Sequence, residues 1–210
     1  MTDLSVLLGE IDIYLFDQIL RGRIAPGMSV LDAGCGHGRN LVFLLREGYA
    51  VSGLDPDPAA IRSVRALARR LAPALQESSF REESVEASSF AEGCADLVLS
   101  SAVLHFARDE EHFLAMLQGT WRVAKRGGLL FCRLASTIGM ESRMTPLGGR
   151  RFALPDGTER FLVDEPYLVE LTARLGGTML DPLKTTVVQD QRCMTTWVLR
   201  KGGAPPPTPG

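Results

Sequence analysis

Apolar positions along this chain switch between a helical and a strand-like rhythm. Ile11, Leu15, Ile19 and Leu20 recur at helical spacing ahead of the breakers Pro26 and Gly27. Residues 28–32 then read as a short buried strand that runs into Gly34-Cys35-Gly36-His37-Gly38. Leu41, Leu44 and Leu45 make one helical face, closed by Gly48, and residues 49–55 are a second strand. Pro56 and Pro58 suit a helix start, and Ile61, Val64, Leu67, Ala68 and Leu71 form its buried stripe. Strand, helix, strand, helix is the order of a parallel sheet with right-handed crossovers.

The alternation continues with a weak strand at 80–85 and a strong one at 96–100. A helix marked by Phe113, Met116, Leu117, Thr120 and Trp121 ends at Gly127-Gly128. Residues 128–135 form a central strand interrupted only by Arg133. Residues 136–163 are rich in Arg, Gly and Pro and show no clean period. A helix over 165–175 follows, then two β-rich runs, 184–189 and 194–200. The link between them is too short for a parallel return, so they predict an antiparallel hairpin.

The expectation is therefore α/β: a single Rossmann-like three-layer domain over 1–201, with a mostly parallel seven-stranded sheet and a C-terminal antiparallel hairpin. Residues 1–26 would form a helical cap and 136–163 a substrate lid. Residues 202–210, rich in Pro and Gly, would be a disordered tail.

Composition changes this picture little, but it narrows the function. A formal net charge of −2 argues against a nucleic-acid partner. The basic residues Arg62, Arg65, Arg69 and Arg70 read as the solvated side of a helix. No apolar run approaches the ~20 residues of a membrane span, and the N-terminus lacks a secretory pattern. Cys35, Cys94, Cys132 and Cys193 are scattered, which predicts free thiols in a cytoplasmic protein and no metal site. Oligomeric state is not legible here.

The candidate chemistry lies at the ends of the first strands. Glycines between a strand and a helix let the backbone turn tightly and let a ligand approach the main chain. Asp55, about 20 residues on, could accept hydrogen bonds from ribose hydroxyls. The run is Gly-x-Gly-x-Gly rather than the dinucleotide Gly-x-Gly-x-x-Gly. Asp32 stands just before it, where a carboxylate would repel a pyrophosphate and attract an amino group.

These features resemble the class I S-adenosylmethionine-dependent methyltransferases. Val30 to Gly38 is similar to their first motif and Tyr49 to Pro56 to their second. Asp96 to Ser101 is similar to the fourth strand, Lys125 to Leu130 to the turn into the fifth, and Met194 to Lys201 to the closing antiparallel strand. Among subfamilies, the stretch from Gly34 to Asn40, with the apolar helix and Gly48-Tyr49, looks most like bacterial tellurite and thiopurine methyltransferases.

The resemblance implies S-adenosyl-L-methionine as cofactor, held by Asp32, Gly34, Cys35, Gly36, Gly38, Asn40, Asp55, Pro56, Ser100 and Ser101. The family's acid after the third strand falls at Ser84 here, so the adenine is assigned to Glu86 or to backbone near Val85. His105, after the fourth strand, should face the cofactor mouth and is a candidate base. His37 would pack against the cofactor's methionine end. His112 is expected at the surface, and Tyr14 in the core or capping the cofactor.

Arg133 should either pair with an acid or point into the active site, since a lone buried guanidinium is very costly. The partner is then a small molecule, anionic or bearing a soft nucleophilic atom. The other readings are a cofactor-binding regulator without turnover and an aminopropyl-type transferase. A sealed acceptor cavity would mark the first, and an anionic one the second.

Overall fold

The computed structural model describes residues 4–202, so most of the tail expected over 202–210 lies outside the described residues. The main sheet is built from β1 (Ser29–Ala33), β2 (Ala50–Asp55), β3 (Phe80–Glu82), β4 (Ala95–Ser101) and β5 (Ala124–Ala135). Near the C-terminus it is completed by β9 (Gly177–Met179), β10 (Lys184–Val188) and β11 (Arg192–Lys201). The order is β10-β11-β5-β4-β1-β2-β3, parallel from β3 to β5, with β11 antiparallel to β5, β10 and β9. The expected seven strands are present, and short β9 adds an eighth at the edge of β11.

Two helix layers follow from the two apolar faces of these strands. Val30 and Leu31 of β1 point to opposite sides, as alternation requires. Val30 joins Leu15 of α2 (Ile13–Leu20), Leu44 of α3 (Val42–Arg46) and Val64 of α4 (Pro58–Leu71). Leu31 joins Phe113 and Leu117 of α5 (Glu110–Val123) and Leu168 of α6 (Glu165–Arg174). A short α1 (Leu4–Leu8) precedes them. Among the described residues, no helix is long and apolar enough to cross a membrane.

Two expectations are corrected. The fifth strand begins at Ala124 and not at Gly128, because Gly127, at φ +77°, carries the chain through a register shift against β4 without ending the ladder. Residues 136–163 are not irregular. They hold a separate antiparallel sheet of β6 (Thr145–Gly148), β7 (Arg151–Ala153) and β8 (Glu159–Phe161). Its own small core gathers Met140, Met144, Leu154 and Leu162 with Ala135 and Cys193.

Candidate functional site

The carboxyl ends of β1, β2 and β4 open onto a cavity of about 620 Å³, ample for a nucleoside-sized ligand. The loop after β1 supplies its floor, and its three glycines do different work. At Gly34 (φ +87°) a Cβ would lie 2.4 Å from Val103, so this glycine lets the loops after β1 and β4 touch. At Gly38 (φ +81°) a Cβ would meet Leu67 and Val64 of α4 within 2.9 Å, so it seats the loop on that helix. Only at Gly36 (φ +51°) is the space open, and Gly36 faces the cavity.

Asp55 fixes this loop. Its Oδ2 accepts the Gly36 N–H at 2.9 Å and its Oδ1 accepts the Asp57 N–H at 2.9 Å. Each carboxylate oxygen keeps a second lone pair for a ligand hydroxyl.

Asp32, 2 % exposed, lines the same cavity. Burial pushes its carboxyl up, Arg39 pulls it partly back, and Asp55 adds to the rise, leaving it at about 8. Arg39 is tethered by an Nη2 hydrogen bond to Ser101 Oγ at 3.1 Å. Buried Asn40 accepts the Asp12 N–H at 3.0 Å, tying the glycine loop to the N-terminal helices.

The opposite wall is Ser84, Val85 and Glu86, in a 3-10 turn over Val85–Ala87. It packs so closely on α5 that a Cβ at Gly119 would stand 2.2 Å from the Val85 carbonyl oxygen. Burial pushes Glu86 up, but hydrogen bonds from its own N–H, from His112 and from Ser84 outweigh it and hold the carboxyl below the usual range. His112 Nε2 lies 3.3 Å from Glu86 Oε1 and its Nδ1 accepts the Arg108 N–H, so this histidine lines the cavity instead of standing at the surface. Cys35, Pro56 and Ser101 also line the cavity, with His37 exposed at its edge, whereas Gly38 and the fully buried Ser100 do not.

His105 and Arg133 lie elsewhere. They line a second cavity of about 310 Å³ with Ala135, Met194, Arg192 and four residues from 154 to 160. The two cavities share Ala102, which follows β4 at φ +65° and donates its N–H to the Arg133 carbonyl at 2.7 Å. That left-handed turn costs a non-glycine residue energy and throws the chain sideways. His105 is therefore carried past the first cavity, and Phe106 lines it instead.

Arg133 meets both alternatives set for it. It faces the second cavity, and its Nη1 pairs with Asp12 Oδ2 at 2.7 Å. Tyr14, expected in the core or over the cofactor, donates or accepts a 2.8 Å hydrogen bond with Thr186 Oγ1 and does not line the first cavity.

The cavities differ in charge. Glu10, Asp32, Asp55 and Glu86 line the first against Arg39 alone among Lys and Arg. The second carries Arg133, Arg160 and Arg192 against Asp156. An acidic cavity fits a cationic ligand carrying ribose and an amino group, and repels a pyrophosphate. The smaller basic one fits an anion beside it. Sequence reasoning missed Asp12, Glu10 and Phe106. Only Asp12 left a local signal, an acid two residues ahead of Tyr14 that caps α2.

Residues 31–132 match the family model described as a methyltransferase domain. Over 147 residues the chain is 31% identical to a ubiquinone biosynthesis O-methyltransferase of Methylobacterium sp., covering 66% of this chain and 55% of that protein. The chain spans about half the length of the curated relatives it matches. A S-adenosylmethionine-dependent methyltransferase from Methanosarcina mazei superposes with a TM-score of 0.72 at 21% identity, over 88% of this chain and 97% of that one. The 1,6-didemethyltoxoflavin-N1-methyltransferase of Burkholderia thailandensis, solved with its acceptor and S-adenosylhomocysteine, superposes with a TM-score of 0.68 at 20% identity, covering 93% and 80%.

Proposed function

We propose that this chain, which belongs to the class I S-adenosylmethionine-dependent methyltransferases, transfers a methyl group from S-adenosylmethionine in the larger cavity to a small anionic molecule in the smaller one. The observation that carries this reading is two adjoining cavities of opposite charge that share Ala102. The sulfonium supplies an electrophilic methyl; what the protein must add is alignment, worth on the order of 7–11 kcal/mol when reacting atoms are held in line.

The residues fit those tasks. Asp55 offers its free lone pairs to the ribose hydroxyls, and Asp32 offers a buried carboxylate to the amino group. Ser84, Val85 and Glu86 wall the adenine end. Residues 136–163 act as the acceptor's lid, since Leu154, Asp156, Thr158 and Arg160 all line the second cavity. That cavity includes the exposed residues Asp156 and Arg192, so it opens to solvent, which favours turnover over a sealed regulator. Its basic lining disfavours a polyamine acceptor, hence an aminopropyl transfer. The acid-lined first cavity and the lining residue it shares with the second agree with a donor and an acceptor held side by side.

The test is calorimetric titration with S-adenosylhomocysteine. Asp55→Ala should weaken binding by about 1.5–3 kcal/mol, the usual worth of hydrogen bonds to a charged group. Unchanged affinity would remove the assignment of the first cavity.

A further inference from the structure

β4 ends at Ser101, but its neighbour β5 runs on to Ala135. Beyond that end the Ala135 N–H has no partner in β4, and His105 Nδ1 accepts it at 3.2 Å. A ring nitrogen that accepts a backbone N–H must carry the lone pair, so the neutral imidazole holds its proton on Nε2. His105 lines the second cavity, and Arg160 stands close enough to oppose a positive charge on its ring. Protonation would set a new N–H against the Ala135 N–H.

We propose, resting on the reading above, that the acceptor reacts through an oxygen that is already an anion, a carboxylate, and that His105 holds this oxygen as a hydrogen-bond donor through Nε2 without removing a proton. Three observations converge on it. His105 has spent its lone pair on the backbone. Asp156, the cavity's other proton acceptor, is engaged by the Thr158 N–H at 3.0 Å and the Thr158 hydroxyl at 2.6 Å, and is too weak a base for an alcohol. Finally, the charge of Arg133 is matched by buried Asp12, and Asp156 offsets one of Arg160 and Arg192, so a single positive charge is left over. One carboxylate completes the balance.

In support, burial and then Arg160 push the His105 imidazole down to about 4, where it makes a poor base at neutral pH. The step balances without a proton. The carboxylate oxygen forms the new O–C bond to the methyl carbon as the C–S bond breaks, and that electron pair stays on sulfur. The products are a methyl ester and the neutral thioether.

Two measurements test this. In protein labelled with 15N-histidine, His105 should show the Nε2–H tautomer throughout pH 5–8, because the Ala135 N–H occupies Nδ1 and burial with Arg160 opposes a charge there, Arg133, Arg192 and Asp156 being the other charged groups around it. A Nδ1–H tautomer, or a charge change in that range, overturns the proposal. Radiolabelled methyl donor is then offered to a pool of benzoate, phenylacetate and octanoate and to a pool of the matching alcohols. Label should enter the acids as alkali-labile ester. His105→Gln, which keeps a donor, should retain turnover, while His105→Phe should lose about 10- to 100-fold in kcat/KM. Label in the alcohols, or in neither pool while S-adenosylhomocysteine still binds, overturns the carboxylate assignment and leaves the methyltransferase reading standing. Equal loss in the Gln and Phe variants overturns the donor role. Failure of S-adenosylhomocysteine to bind removes the earlier reading and this one with it.

Discussion

Arg133 Nη1 lies 2.7 Å from Asp12 Oδ2 across 121 residues of chain, and the Asp12 side chain is wholly buried. The Asp12 N–H is held by Asn40 of the glycine loop, and its Oδ1 accepts the Tyr14 N–H to start α2. One residue thus joins three parts of the fold: the Asp12 N–H reaches the floor of the first cavity, and its carboxylate holds the start of α2 and the wall of the second.

Removing the arginine strands that carboxylate. Arg133→Met should destabilise the fold by about 3–5 kcal/mol, the cost of breaking a buried pair from one side. Asp12→Asn together with Arg133→Met should recover part of this loss, since no charge is then left unpaired. Urea unfolding checks both; a stable single variant that loses only acceptor use would place Arg133 on the substrate instead.

Asp32 predicts proton release on cofactor binding. With its carboxyl at about 8, it is mainly protonated at neutral pH, and an incoming ammonium group would favour its charged form. Titration of S-adenosylhomocysteine at pH 7 in buffers of different ionisation enthalpy should show net proton release, absent in Asp32→Asn. The stability sign follows from the same shift. The folded pKa exceeds the unfolded one, so the unfolded chain binds fewer protons between pH 3.8 and about 8. Stability falls as pH rises through that window, and Asp32→Asn should flatten the slope. An equal slope in the variant would remove Asp32 from the account.

Gly119 inverts a general rule. Alanine in place of a helical glycine usually stabilises by about 1 kcal/mol. At Gly119 the added Cβ would stand 2.2 Å from the Val85 carbonyl oxygen and 3.2 Å from Glu86 Cα, both backbone atoms that cannot swing aside. Gly119→Ala should cost about 1–3 kcal/mol and weaken nucleoside binding by displacing residues 84–86. A variant as stable as the parent in a urea melt contradicts this.

What the sequence disclosed and what it hid divide along a physical line. The alternation of strands and helices, the loop after β1, and Asp32 and Asp55 were legible because each depends on neighbours in sequence or on a fixed strand-to-strand spacing. His105 was misplaced because the single left-handed turn at Ala102 redirects the chain, and alanine gives no sign of such a turn. The sheet of β6, β7 and β8 escaped because its strands are three or four residues long and mostly outside the buried core, too short for alternation to show. His112 reads as a surface residue in the sequence because its partner Glu86 lies 26 positions away. The Arg133 partner could be expected as an acid but not identified, since nothing local links residue 133 to residue 12.

The larger cavity draws its lining from Glu10 to Met116, and the smaller one from Ala102 to Met194. The matched family domain ends at Cys132, the position before Arg133. On the proposed reading, donor and acceptor sites are therefore drawn from successive stretches of chain that overlap between Ala102 and Met116. Such an arrangement would let a lineage rewrite the chain beyond Arg133 and keep the lining of the larger cavity intact. A graft that exchanges residues 136–194 between relatives is the corresponding laboratory operation; it leaves Arg133 paired with its own Asp12 and keeps Ala102 and His105 from the host chain.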